Sequence, residues 1–193
     1  MNYIYHRIPD NMIGNILYPL NQLKDISLDS YKTAFSKYDD RPYLPNRVIY
    51  PLECFWNDVL FFLPINPVLH IEFIKKYGYG KIKASYFEIP AEKIPSEQSC
   101  IYLHSKSDQG NYLKEDFVIY DPACVNNYNY LTQANKDYLQ DALSKKPKLF
   151  FPWNHIPHIL YKGNLDVADL RILSVGGDCP REGIYTDFKP TTR

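Results

Sequence analysis

The sequence predicts an α+β protein in a single domain, with a mixed or mostly antiparallel, split sheet and flanking helices. Three observations predict it. Short runs rich in aromatic and β-branched residues recur along the chain and mark strands. Between them lie a few longer segments with apolar residues at helical spacing. The two kinds do not alternate regularly, as a parallel doubly wound sheet would require. With 193 residues, of which 45% are hydrophobic, the chain supports one sizeable core and is short for two. The expected domain covers residues 1–175, followed by an irregular tail over 176–193.

The first strand spans Asn2–Ile8, where Tyr3, Ile4, Tyr5 and Ile8 suit a pleated surface. Pro9, Asp10 and Asn11 close it. His6 and Arg7 are adjacent and therefore face opposite sides. Leu20 and Leu23 stand at helical spacing, and from Asp29 to Tyr38 a second periodic segment places Tyr31, Ala34, Phe35 and Tyr38 on one face behind a capping-competent Asp29. The stretch from Arg47 to Gly78 is the densest apolar run of the chain. Pro64 and Pro67 cut it into a short buried strand and a helix starting near Pro67. Cys54, Asn57 and Asp58 lie inside this run. Polar groups there must find partners or be held for a purpose, because burying them unpaired costs free energy.

Gly78, Tyr79 and Gly80 end the helix, and residues 82–89 alternate as a strand. Residues 90–99 form a loop with one helical turn. Cys100–His104 is a strand, a polar loop runs through Gly110, and Phe117–Tyr120 is extended. Asp121 and Pro122 open a turn-rich region, and Ala134–Leu143 is a helix that stops before Pro147. His158–Tyr161 is a buried strand ending at a Gly163–Asn164 turn, and Leu170–Val175 is the last strand.

Several function classes are excluded or disfavoured. Lysine and arginine total 22, as do aspartate and glutamate, so the net charge is zero and neither a strong nucleic-acid field nor an acidic tail is present. Glu53, Asn57, Asp58 and two prolines interrupt the longest apolar run, which rules out a membrane span there. The N-terminus lacks the order of a signal peptide, so the expected location is cytoplasmic. The cysteines at 54, 100, 124 and 179 form no CxxC pair, so a metal site is not expected and reduced core thiols are. Walker, GxGxxG, HExxH and GxSxG signatures are absent. The lysines at 75, 76 and 81 and at 145, 146 and 148 fall at helix ends, where cations suit the dipole.

Four places carry candidate chemistry. His6 with Arg7 suits a ribose or phosphate, through ring nitrogens and a guanidinium fork; the alternative is a structural imidazole bonded to backbone. His155 and His158 flank a proline-stiffened aromatic segment but, three apart, need not converge. If a helix begins near Pro51, Cys54 lies at its N-terminus, where the dipole would lower the thiol pKa. With His158, and then Asn164 or Asp166, the order is that of a Cys-His-Asn hydrolase or acyltransferase. A buried cysteine in so apolar a run is otherwise a core residue. Asp58 is either a catalytic carboxylate or a turn cap with backbone partners.

Three segments together resemble the ADP-ribosyltransferase-like superfamily, in its small bacterial toxin or effector type and, more distantly, the RNA 2′-phosphotransferases. They are the opening Tyr3–Ile8, the block Asp58–Leu69 and the closing His158–Gly163. The resemblance implies an NAD cofactor, transfer of ADP-ribose to a macromolecular acceptor, protein or nucleic acid, and a site in which His6 grips NAD. By the same resemblance Arg7 and Phe62 help bind the cofactor, Tyr86 stacks on nicotinamide, and His6, His158 and Asp58 share the catalytic work. Where the family delivers a glutamate, this sequence has His158. A carboxylate is the obvious stabiliser of the oxocarbenium-like state of glycosidic cleavage, whereas histidine binds or acts as a base. This reading requires the first strand and the His158 strand to lie side by side, so that two imidazoles open into one hollow. A non-catalytic interaction module is the remaining alternative.

Overall fold

The computed structural model describes residues 1–76, 83–104, 113–145 and 151–175. The expected Gly78–Gly80 helix end, the polar loop through Gly110, the lysines at 81, 146 and 148 and the tail over 176–193 lie outside the described residues.

The chain opens with strand β1 (Tyr3–Arg7) and a two-residue strand β2 (Ile16–Leu17), followed by helices α1 (Leu20–Ile26) and α2 (Leu28–Phe35). Ser27 ends one helix and starts the next: its N–H donates to the Leu23 carbonyl, and its hydroxyl accepts from the Ser30 N–H at 3.3 Å. The cap is thus Ser27 rather than Asp29, because Ser27 is the residue in extended conformation at that boundary. A 3-10 turn, Ser36–Tyr38, continues α2 and buries Tyr38.

The expected helix near Pro51 does not form. Instead β3 (Val48–Ile49) pairs antiparallel with β4 (Cys54–Phe55) across a 3-10 turn at Tyr50–Leu52, and Glu53 takes a left-handed conformation, φ 46°, to reverse the chain. A further 3-10 turn, Trp56–Asp58, leads into β5 (Leu60–Phe62) and then α3 (Pro67–Lys76), the strand and helix read from the prolines. Strand β6 (Ala84–Pro90), two 3-10 turns, and strands β7 (Ser99–Tyr102) and β8 (Phe117–Ile119) follow. A 3-10 segment over Pro122–Tyr128 is capped by Asp121, whose carboxylate accepts from the Ala123 N–H. Helix α4 (Gln133–Lys145), β9 (His158–Tyr161), β10 (Leu165–Asp166) and β11 (Arg171–Val175) complete the described chain.

The fold is α+β, and among the described residues every strand pair is antiparallel. The two larger sheets have the orders β1-β6-β11 and β5-β9-β7-β8, and β2 with β10 and β3 with β4 form two-stranded ribbons. The larger sheets meet at a reciprocal pair of hydrogen bonds between Tyr5 and Leu63, at 2.9 and 2.8 Å. Ile4, Phe87, Ile89, Phe62, Ile101 and Ile159 form the heart of the largest apolar cluster between the sheets. The opposite face of the first sheet carries Tyr5 and Tyr86, packed with Leu63 and Ile71. Cross-strand partners share a face, so His6 and Phe87 lie on the inner side while Arg7 and Tyr86 lie on the outer.

Strand β5 stands between β1 and β9. The first strand and the His158 strand are therefore not neighbours, contrary to the arrangement the sequence suggested. The reason is the Tyr5–Leu63 bridge, which docks the end of β5 onto β1 and leaves β9 one strand further away.

Candidate functional site

His6 lines a cavity of about 160 Å³. Strands β1 and β5 and the Trp56–Asp58 turn bound it on one side, and α1, α2 and Tyr38 on the other. The walls are mostly apolar: Met12, Leu17, Leu20, Leu23 and Leu60 supply them. Its polar contributors are His6, Asn57, Lys37 and Ser30, with Asn11 and Tyr18 from the preceding loop. A concave apolar wall with a few polar groups is the usual form of a small-molecule site. The volume suits one ring system rather than a whole dinucleotide, since drug-sized ligands occupy pockets of roughly 300 Å³ and more.

The imidazole of His6 is fixed in orientation. Its Nδ1 is 2.8 Å from the Phe61 carbonyl oxygen, and because a carbonyl only accepts, Nδ1 carries the proton and Nε2 keeps a lone pair. The Phe62 ring stands 5.5 Å away. Burial pushes the His6 pKa down to about 4, against a weaker upward pull from the Phe61 carbonyl. At neutral pH the ring is uncharged and offers one acceptor.

Asn57 is 2% exposed, and neither Oδ1 nor Nδ2 has a hydrogen-bond partner. Its neighbour Asp58 is fully engaged: one carboxylate oxygen accepts from the Phe55 N–H at 2.8 Å, and the other from the Asn21 side chain at 2.6 Å. Asp58 thereby closes the 3-10 turn and ties it to α1. It holds the turn that carries Asn57 and does not line the cavity. Lys37 is exposed as a residue, yet its ammonium stands 4.9 Å over the buried Tyr38 ring. Crowding by the protein, with Arg41 adding to it, pushes its pKa down to about 8. Solvent at the mouth moderates that shift; its direction makes Lys37 more readily neutral than a surface lysine.

Other expected site residues fall elsewhere. Phe62 is fully buried and backs the His6 ring from within the core. Arg7 reaches outward to Asp10 at 3.4 Å, with both side chains largely exposed. Tyr86 is 2% exposed and meets the Trp153 ring edge-on at 5.9 Å. That contact lies on the sheet face opposite His6, so the surface expected to stack on nicotinamide is occupied by tryptophan. His158 shares its face of β9 with Leu160, the partner of Phe61, while His6 lies with Phe62 on the other side of the sheet. Its Nδ1 donates to the Ile156 carbonyl at 2.7 Å, and burial lowers its pKa. His158 does not line the His6 cavity; the two imidazoles sit on opposite sides of β5, because odd and even residues of one strand point apart.

His158 belongs instead to a ring-rich region on the far face. There Trp56 meets both Phe61 and Tyr102, and the ring centres of His104 and His155 lie 4.7 Å apart. His104 and His155 have left-handed backbone, φ 66° and 60°. His155 lies outside any strand, so it and His158 are related by that turn and not by strand periodicity.

Cys54 is buried beside Ile49, Val59, Cys100 and Leu160. Burial pushes its thiol up to about 11, the opposite of what a nucleophile needs, and among the described residues no imidazole is hydrogen-bonded to it. It sits in a strand, so the helix N-terminus that would have activated it does not exist. Iodoacetamide applied to the folded protein near neutral pH is expected to modify the exposed Cys124 among the described cysteines, and to leave Cys54 and Cys100 unmodified until denaturant is added. Rapid alkylation of Cys54, located by peptide mass spectrometry, would restore the thiol mechanism.

Lys37 and Met12 also line the cavity, beside Tyr38 from the apolar face of the second helix. The signal for Lys37 was weak but present: it stands beside Tyr38 in the sequence. Among the described residues no group of three or more metal-ligating side chains forms, and no helix is long and apolar enough to cross a membrane. Compared with known protein families, curated proteins and solved structures, the chain matches none.

Proposed function

We propose that this chain binds NAD or a related nucleotide through the His6 cavity and transfers ADP-ribose to a macromolecular acceptor, as an ADP-ribosyltransferase-like protein of the toxin or effector type. One observation carries the reading: the histidine of the first strand opens into a mostly apolar cavity with its imidazole neutral, its tautomer set by the Phe61 carbonyl, and Nε2 left as an acceptor. A ribose hydroxyl is a natural donor to that nitrogen. The cavity accepts one ring of the nucleotide, and the rest of the ligand would run out past Lys37, whose cationic end suits a phosphate.

Among the described residues no carboxylate lines the cavity, so charge developing on a ribosyl ring would be met by the dipoles of His6 and Asn57 rather than by a full negative charge. That same feature favours a second reading, a nucleotide-binding module without transferase chemistry.

Calorimetric titration with NAD and NADP tests the first step. Wild-type protein is expected to release heat, and His6→Ala to bind at least about tenfold more weakly, or about 1.4 kcal/mol. No heat with either ligand at millimolar concentration would dismiss both readings. Binding without label transfer from adenylate-labelled NAD to protein or nucleic acid would select the binding module.

A further inference from the structure

We infer that Asn57 is the recognition group of the cavity and that it reads a carboxamide or lactam edge on a flat ring. The inference rests on the proposed cavity ligand and names the part of it that enters deepest. The apolar stretch that holds Asn57 would be better served by a leucine if packing were all that mattered, because an amide buried with no partner destabilises the fold. Here both of its polar atoms are orphaned, although Asn57 lines a cavity large enough for a ring. Asn135, also fully buried, leaves only its Oδ1 without a partner and uses its amide nitrogen twice, on the Pro152 and Asn154 carbonyls, whereas Asn57 satisfies neither atom. Asn57 is therefore not a structural asparagine of the same kind.

A carboxamide presents one acceptor and one donor pair side by side. Its complement is a group with a donor and an acceptor in the same arrangement, as in another primary carboxamide or in a lactam. A carboxylate fails, since it has no donor for Oδ1. A site that leaves buried polar groups unpaired with the wrong ligand discriminates strongly. The turn is held rigid by Asp58 through Phe55 and Asn21, so the amide is positioned before the ligand arrives. His6, in the same cavity and with Nε2 as an acceptor, keeps that lone pair for the ribose hydroxyl that follows the ring.

The probes are nicotinamide and nicotinic acid, alike in shape and different at this edge, each followed by the side-chain amide resonances of Asn57 in a nitrogen-proton correlation spectrum. Nicotinamide is expected to shift those resonances and to bind at least about tenfold more tightly than nicotinic acid. Asn57→Leu is expected to keep or raise the melting temperature while losing the preference, which a structural asparagine would not do. NAD and its deamido analogue give the same comparison on the larger ligand. Equal binding of NAD and the deamido form, with Asn57 unmoved, overturns the inference and leaves the proposed function standing. A nicotinamide shift at Asn57 in a protein that does not bind NAD overturns the proposed function and leaves the inference. Silence from all four ligands, with the Asn57 amide satisfied only by water, removes both.

Discussion

Acidification to about pH 5 is expected to cost the folded chain roughly 2 kcal/mol at each of two histidines, His6 and His70, and about 3 kcal/mol at each below about pH 4. Both rings are pushed down to about 4 by burial, from an ordinary value of 6.5. Below 6.5 the unfolded chain binds protons that the folded chain refuses, so stability falls as the pH drops from 6.5 toward 4 and is level above that window. His70 is fully buried on α3: its Nε2 donates to the Pro152 carbonyl at 2.9 Å, its Nδ1 has no partner, and its ring lies 4.1 Å from that of Trp153. Charging it would place an unsolvated cation against tryptophan inside the fold. Against a total stability of about 5–15 kcal/mol for a domain, two such penalties, about 4 kcal/mol together at pH 5 and about 6 below pH 4, remove most of the margin of a domain at the lower end of that range. Urea melts across the window should show the midpoint falling below about pH 6.5 with an unchanged slope. Histidine ring resonances of His6 or His70 titrating near 6.5 in the folded protein would refute the claim.

Phe62→Ala is expected to cost about 3–5 kcal/mol, among the largest single-residue losses available in this chain. Phe62 is fully buried, lies in the cluster where the two sheets join, and stands 5.5 Å from the His6 ring. Truncation leaves a void that neighbouring strands, held by their ladders, close only in part. It also removes one wall of the imidazole, so ligand binding should weaken along with stability. Ile119→Ala, at a residue 87% exposed on β8, should change stability by less than about 0.5 kcal/mol and serves as the control. A Phe62→Ala protein with an unaltered urea midpoint would mean that this ring does not help to hold the two sheets together.

Much of the secondary structure was legible because it depends on local order. Proline positions fixed the junction between β5 and α3, and β9 was readable from four residues, His158–Tyr161. The two-residue strands were not, since β3 and β4 exist only by pairing with each other. Asp58 was legible as a choice between a cap and an acid, and the structure gives it the cap. Asn57 drew notice as a polar residue inside an apolar run, although nothing in the run said that its amide would stay unpartnered.

The sequence by itself determined which residues share a face within each strand, because the alternation of side chains is a property of one segment. It therefore separated His6 from Arg7. Only the tertiary structure decided which strands became neighbours. The backbone bonds between Tyr5 and Leu63 set β5 between the two histidine strands, sent His6 and His158 to opposite sides, and closed the cavity with helices α1 and α2. Such pairings join residues far apart in the chain, and their register follows from the packing of the whole core, which no local pattern encodes.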